Sequence, residues 1–191
     1  INQLPVDFKG KFDFLKDGYN IDFIVKSTDS NLKDLFTAFP PKYITWLGKT
    51  EIKGKTDLLL TLKGKYIESK KIAPELNLDF KIRDGFVNYD KSEFPVSNLN
   101  LDLSTSLPSL NPELLIVNTK SISLNINQDY LKAKMYIKGM NTPEIDAVFN
   151  SKIDLEKLNK ALGIPDIELK GTLVGEGKAK GKYNPLHKVF P

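Results

Sequence analysis

The sequence predicts a mainly β protein: a strongly twisted, curved antiparallel sheet, groove- or taco-like, with two short amphipathic helices, built from a duplicated strand-helix-strand unit. Three observations carry this expectation. Apolar and polar residues alternate over long runs, the period of a strand with one buried face. Helical spacing occurs in only two short segments, around Leu32 and around Leu155. Residues 51–66 (EIKGKTDLLLTLKGKY) return without a gap as residues 168–183 (ELKGTLVGEGKAKGKY), sharing seven of sixteen positions. Ile21-Asp22 before the first copy is echoed by Ile145-Asp146 before the second, and self-similarity of this kind marks modular repeats. The 191 residues are read as a single domain, with a first repeat over about 20–66, a middle sheet over 74–138 and a second repeat over about 144–183. A chain beginning on Ile1 reads as a fragment of a longer protein.

In order, Val6, Phe8, Phe12 and Phe14 alternate with Asp7, Lys9, Lys11 and Asp13, and Asp17-Gly18 predicts a hairpin returning through Ile21, Phe23 and Val25. Residues 28–30 offer N-cap oxygens to a short helix of Leu32, Leu35, Phe36 and Phe39, stopped by Pro40-Pro41. Tyr43, Ile44, Trp46 and Leu47 form an apolar knot, either a plug over one end of the sheet or a ligand or membrane contact. A long strand from Thr56 places Leu58, Leu60, Leu62 and Tyr66 on one face, and Leu76, Leu78, Phe80 and Ile82 repeat the pattern. Asp84-Gly85 predicts a second hairpin, with Phe86, Val87 and Tyr89 leading back, before Leu99, Leu101 and Leu103.

Pro108, Asn111 and Pro112 mark a loop, followed by a short strand over 114–117 and another through Ile122, Leu124 and Ile126. Gln128-Asp129 turns the chain into Leu131, Ala133, Met135 and Ile137, and residues 139–143 break that run. Ile145, Ala147 and Phe149 open the second copy, Asp154 caps a helix of Leu155, Leu158 and Leu162, and Gly163 with Pro165 stops it. The last strand carries Gly171, Gly175, Gly177 and Gly181 and should be curled or mobile.

Composition narrows the chemistry. No run approaches the ~18–20 apolar residues of a membrane-spanning helix, and without cysteine there is neither disulfide nor thiol catalysis. The net charge is +4, but every basic residue except Arg83 is a lysine, spread along strands. Bidentate readout of phosphate and guanine favours arginine, so nucleic acid is not expected as a partner. The lysines read as solvated strand faces, or more weakly as attraction to anionic lipid head groups. The single histidine, His187, lies beyond the second repeat, which argues against a histidine-centred triad or a zinc site. Asp79 with Asp102 is the one conceivable acid and base pair, and the lysine-glycine runs lack phosphate-loop spacing. Neither a cofactor nor an enzymatic activity is expected.

The apolar strand faces outnumber what two short helices can cover. Either the sheet closes on itself into an ordinary core, or it forms a trough that another apolar body completes. The trough would be lined by Leu58, Leu60, Leu62, Tyr66, Leu76, Leu78, Phe80, Ile82, Leu99, Leu101 and Leu103, with lysine ammonium groups at its rim.

Several segments resemble the AsmA family of diderm bacteria in its Bacteroidetes-like form: GKTDL at 54–58, LKGKY at 62–66, PELNL at 74–78, IRDGFVNY at 82–89, FPVSNL at 94–99, TPEID at 142–146 and IDLEKL at 153–158. These are turn and strand patterns with little chemistry in them. The resemblance implies a periplasmic β groove with an apolar interior, similar to TamB and the bridge-like lipid-transfer proteins. It implies tethering to the inner membrane by an N-terminal helix outside residues 1–191, and a role in moving phospholipid or maintaining the outer membrane. The implied partners are phospholipid or fatty acyl chains, the membrane through that anchor, and other envelope proteins. The rival expectation is a structural or protein-interaction domain of the cell envelope with a sealed core.

Overall fold

The computed structural model describes residues 3–38, 48–90, 92–162 and 168–183. Nine strands, β1 (Asp7–Leu15), β2 (Gly18–Asn31), β3 (Thr50–Tyr66), β4 (Glu75–Tyr89), β5 (Val96–Leu107), β6 (Ile116–Ile126), β7 (Asp129–Lys138), β8 (Glu144–Asp154) and β9 (Thr172–Lys182), form one sheet in strict chain order. Every neighbouring pair is antiparallel. β1 and β9 are not paired with each other, so the sheet is open. The long alternating runs favour this meander, because each strand can bury one face and, apart from the β2–β3 and β8–β9 connections, reach its successor through a short link.

Helices α1 (Leu32–Phe36) and α2 (Leu155–Leu162) lie in the β2–β3 and β8–β9 connections. Strict antiparallel order puts both connections at the same end of the sheet. There α1 and α2 cover the nonpolar face, and the fully buried core collects around them: Leu32, Ile52, Val87, Val96, Leu124, Ile126, Ile153, Leu158 and Ala161. The opposite end carries the β1–β2, β3–β4, β5–β6 and β7–β8 turns, with three single-turn 3-10 helices (Glu68–Lys70, Pro108–Leu110 and Pro112–Leu114) but no α-helix. The two strand-helix-strand segments share their register as well as their element order. Asp22 pairs with Lys63 and Ile21 with Gly64, as Asp146 pairs with Lys180 and Ile145 with Gly181. Lys63 Nζ lies 3.0 Å from Asp22 Oδ1, off hydrogen-bond alignment, and Lys180 Nζ lies 3.5 Å from Asp146 Oδ2.

Several local expectations are corrected. Asp84-Gly85 is not a hairpin: β4 runs straight through it, and the reversal comes only after Tyr89. Asp84 is left-handed (φ 51°) and forms a bulge, two residues of β4 opposing Gly54 alone on β3. Gly85 is required by crowding, since a Cβ there would sit 2.9–3.1 Å from its neighbours on β5 and β4 if built. Similar bulges at Asp29 (φ 51°) in β2 and Asn98 (φ 50°) in β5 extend the line of bends across the sheet beside the helices. The amides displaced from the ladder are recovered by side chains: Asp29 N donates to Asp57 Oδ1 (2.8 Å) and Asp84 N to Asn100 Oδ1 (3.0 Å).

At the first hairpin the turn residues are Lys16 and Asp17, with Leu15 opposite Gly18, and none of these four has positive φ. Gly18 serves close approach instead, because a Cβ would lie 2.0 Å from the Tyr66 carbonyl oxygen. The α1 N-cap is Asn31, while residues 28–30 stay in β2. The short strand expected at 114–117 and the one through Ile122 are a single strand, β6, bulged at Lys120. Residues 127–128, not Gln128-Asp129, make the next turn. Asp154 caps α2 as expected, accepting from the amides of Glu156 (2.9 Å) and Lys157 (3.2 Å). The knot at Tyr43, Ile44, Trp46 and Leu47, the expected helix stops, and His187 lie outside the described residues.

Candidate binding surface

Alternation places every second residue of each strand on one face, and the pairing registers align these residues into rows. One row crosses all nine strands: Phe8, Val25, Leu60, Leu78, Thr105, Val117, Ile137, Ile145 and Gly181. A second runs Ser27, Leu58, Phe80, Leu103, Thr119, Met135, Ala147 and Ala179, and a third runs Thr56, Ile82, Leu101, Ile122, Ala133, Phe149 and Gly177. No strand makes a substantial contact with any strand other than its sheet neighbours. Away from the helices every residue of the first row is half-buried or exposed, so the rows touch one another sideways and stay partly open to solvent.

The eleven expected lining residues all fall on this face. Ile82 and Leu99 pack against the helix-capped core. Leu58, Leu60, Leu62, Leu76, Leu78, Phe80, Leu101 and Leu103 are half-buried, and Tyr66 is exposed at the end without an α-helix. The face extends in both directions beyond them. On β1 and β2, Phe8, Phe12, Phe14, Tyr19 and Phe23 form a ladder of rings with centroids 5.1–6.5 Å apart, and Phe14 is 82% exposed. Val117, Ile137, Ile145 and Phe149 continue it across β6 to β8. Their alternation was legible in the sequence, but the rows that join them to Leu60 and Leu78 depend on register.

At the β9 edge the face changes character. Where the first strand-helix-strand segment has Leu58, Leu60 and Leu62, the second has Gly175, Gly177 and Ala179. The Phe149 ring fills the space over Gly177, where an added Cβ would meet it at 2.5 Å. Small residues here let one aromatic ring do what a leucine does on β3.

The other face is the more polar one and carries several ion pairs. Arg83 donates to Asp57 and, at 3.0 Å, to Asp29, while Lys55 Nζ lies 3.5 Å from Asp29 Oδ2. The Arg83 hydrogen bond, with a second from the Asp29 amide, holds the Asp57 carboxyl below its ordinary value of 3.8. Asp102 sits between Lys81 (3.3 Å) and Lys120 (3.6 Å), and Asp79 stands opposite Ser104 and not opposite Asp102. Among the described residues no three carboxylate or imidazole side chains gather as metal ligands.

A hollow of about 870 Å³ opens over β6 to β9. By alternation most of its lining, including Ser123, Lys132, Lys134, Val148, Asn150 and Lys178, belongs to the polar side of the sheet. None of the eleven expected residues lines it. Leu78 alone of them borders a smaller hollow of about 420 Å³.

No family model matches the chain, and neither a curated protein nor a solved structure does. The class is the one geometry defines: an open, one-sided antiparallel sheet, capped at one end by two helices and carrying an uncovered apolar face.

Proposed function

We propose that this is a non-enzymatic cell-envelope protein whose uncovered apolar face shields lipid acyl chains, in phospholipid transport or outer-membrane maintenance. The observation that carries the reading is the row from Phe8 through Leu60 and Leu78 to Ile145, which spans the sheet with every side chain half-buried or exposed. Monomeric soluble proteins rarely leave contiguous apolar area beyond a few hundred Å² uncovered, and such area marks an interaction site. A long, smooth, hydrogen-bond-free strip suits a hydrocarbon chain, which offers no polar group for recognition. The resemblance to the AsmA family supports the same reading and supplies the periplasmic setting and the inner-membrane anchor.

Native mass spectrometry of gently purified protein, with titration of a fluorescent fatty acid, tests it. Co-purified lipid and saturable binding, abolished by Leu78→Asp in a protein that remains folded, are expected. Absence of both lipid and fatty-acid binding in the wild type refutes the reading. Unfolding by Leu78→Asp favours the rival sealed interaction domain.

A further inference from the structure

Three of the four turns at the end without an α-helix carry exposed aliphatic side chains that nothing in the fold explains. Ile72 in the β3–β4 turn is 41% exposed, Leu110 and Leu114 in the β5–β6 connection 41% and 43%, and Met140 in the β7–β8 turn 58%. Phe14, beside the β1–β2 turn, adds a ring at the same end. No turn residue at the helix-capped end is among the large exposed apolar residues described. Solubility alone disfavours apolar turn tips, so these exposed side chains call for a partner.

These turns are laced into one rim. Lys70 Nζ bonds Asp17 Oδ2 at 2.7 Å, joining the first turn to the second. The turn at 108–110 packs on β4. Gly139 N donates to the Leu115 carbonyl at 2.8 Å, Asn141 donates to Glu113, and Tyr183 N reaches the Pro143 carbonyl at 2.9 Å. Ser109 (φ 53°) and Leu110 (φ 49°) are both left-handed, a region side chains other than glycine and asparagine rarely adopt, and the leucine remains exposed.

We infer that this rim docks on an anionic lipid bilayer, with Ile72, Leu110, Leu114 and Met140 entering the acyl boundary. Three features select a bilayer over a protein partner. The tips are separate points on successive turns, where a protein interface would present one contiguous patch. Lysines accompany two of the three apolar turns, Lys70 and Lys71 before Ile72 and Lys138 two residues before Met140, and Lys16 tops the first turn, while the turn of Leu110 and Leu114 carries Glu113 and no lysine. Lys16, Lys71 and Lys138 make no ion pair among the described residues, leaving them available to head-group phosphates. Finally, the apolar rows run out at this end, so a chain leaving the bilayer would meet Tyr66 and Leu62 without crossing a polar turn. That last point rests on the proposed acyl-chain reading, whereas the docking itself does not.

The test is flotation with vesicles of phosphatidylethanolamine and phosphatidylglycerol, comparing wild type, the triple variant Leu110→Ser/Leu114→Ser/Met140→Ser, and Leu60→Asp. The three replaced side chains are exposed, so the triple variant keeps its circular dichroism spectrum and its fatty-acid binding. Its vesicle partition is expected to fall on the order of tenfold or more. Leu60→Asp is expected to float as the wild type does while losing the fatty acid. A wild type that stays off the vesicles, or a triple variant that floats as well as wild type, overturns the inference. Tip-dependent flotation without any fatty-acid binding leaves the docking standing and removes the acyl-chain reading.

Discussion

Replacing Leu60 by aspartate puts a carboxylate in the middle of the row that crosses all nine strands. Leu60 lies between Val25 on β2 and Leu78 on β4 and is half-buried. Full burial of a leucine is worth about 1.5–3 kcal/mol, so removing the sideways packing of this half-buried one costs about half of that. The poorer strand preference of aspartate adds about 1 kcal/mol at most. On an uncovered face the carboxylate stays hydrated, and the total should be about 1–2.5 kcal/mol. Beneath a sealed layer the same substitution would bury an unpaired charge, a penalty of several kcal/mol that most domains of this size do not survive. Urea unfolding followed by circular dichroism measures the difference. The companion variant Ile153→Ala sets the scale, because Ile153 is 1% exposed in the helix-capped core and its truncation should cost about 2–5 kcal/mol. If Leu60→Asp proves as damaging as Ile153→Ala, or prevents folding, the face is covered and the reasoning is wrong.

Two further outcomes follow from the local geometry. Asp154→Ala removes the acceptor for the amides of Glu156 and Lys157 and should lower the unfolding free energy by about 1 kcal/mol, with Asp154→Asn restoring most of it. Asp57 has its pKa depressed in the folded state by Arg83 and the Asp29 amide. Its contribution to stability is complete above the ordinary value of 3.8 and is lost as pH falls through the lower folded value. Denaturant midpoints measured from pH 7 to pH 2 should therefore drop below about pH 4, and the drop should be smaller in Asp57→Asn; an unchanged drop would exclude this pair as a source of acid sensitivity.

The Asp-Gly pairs explain where local reading succeeds and where it stops. Both were read as hairpins, since a turn and a bulge each accommodate left-handed backbone and the dipeptide supplies it. At residues 17–18 the chain does reverse, one residue out of the expected phase, because Gly18 answers to the Tyr66 carbonyl and not to a turn dihedral. At 84–85 it does not reverse at all. Gly54 on one side and Leu99 on the other hold the strand in the sheet, and the extra residue is absorbed as a bend. These neighbours are about 14 to 31 residues away along the chain, beyond any local pattern. The two strands expected within 114–126 merged for the same reason: a bulge at Lys120 changes the phase of alternation without ending the strand.

By itself the sequence determined which residues share a face, where the two helices lie, the Asp154 cap, and the absence of arginine-rich or cysteine-based chemistry. Those properties are set within a few residues, by the twofold period of a strand, the 3.6-residue period of a helix and the side-chain oxygen at a helix start. Tertiary structure alone decided that the sheet stays open, that Leu60 and Leu78 join Ile137 and Ile145 in one strip, and that both helices gather at one end while exposed Leu110, Leu114 and Met140 gather at the other. Each depends on hydrogen-bond register between distant strands, and a period of two read along one strand is indifferent to which partner, or none, lies across it.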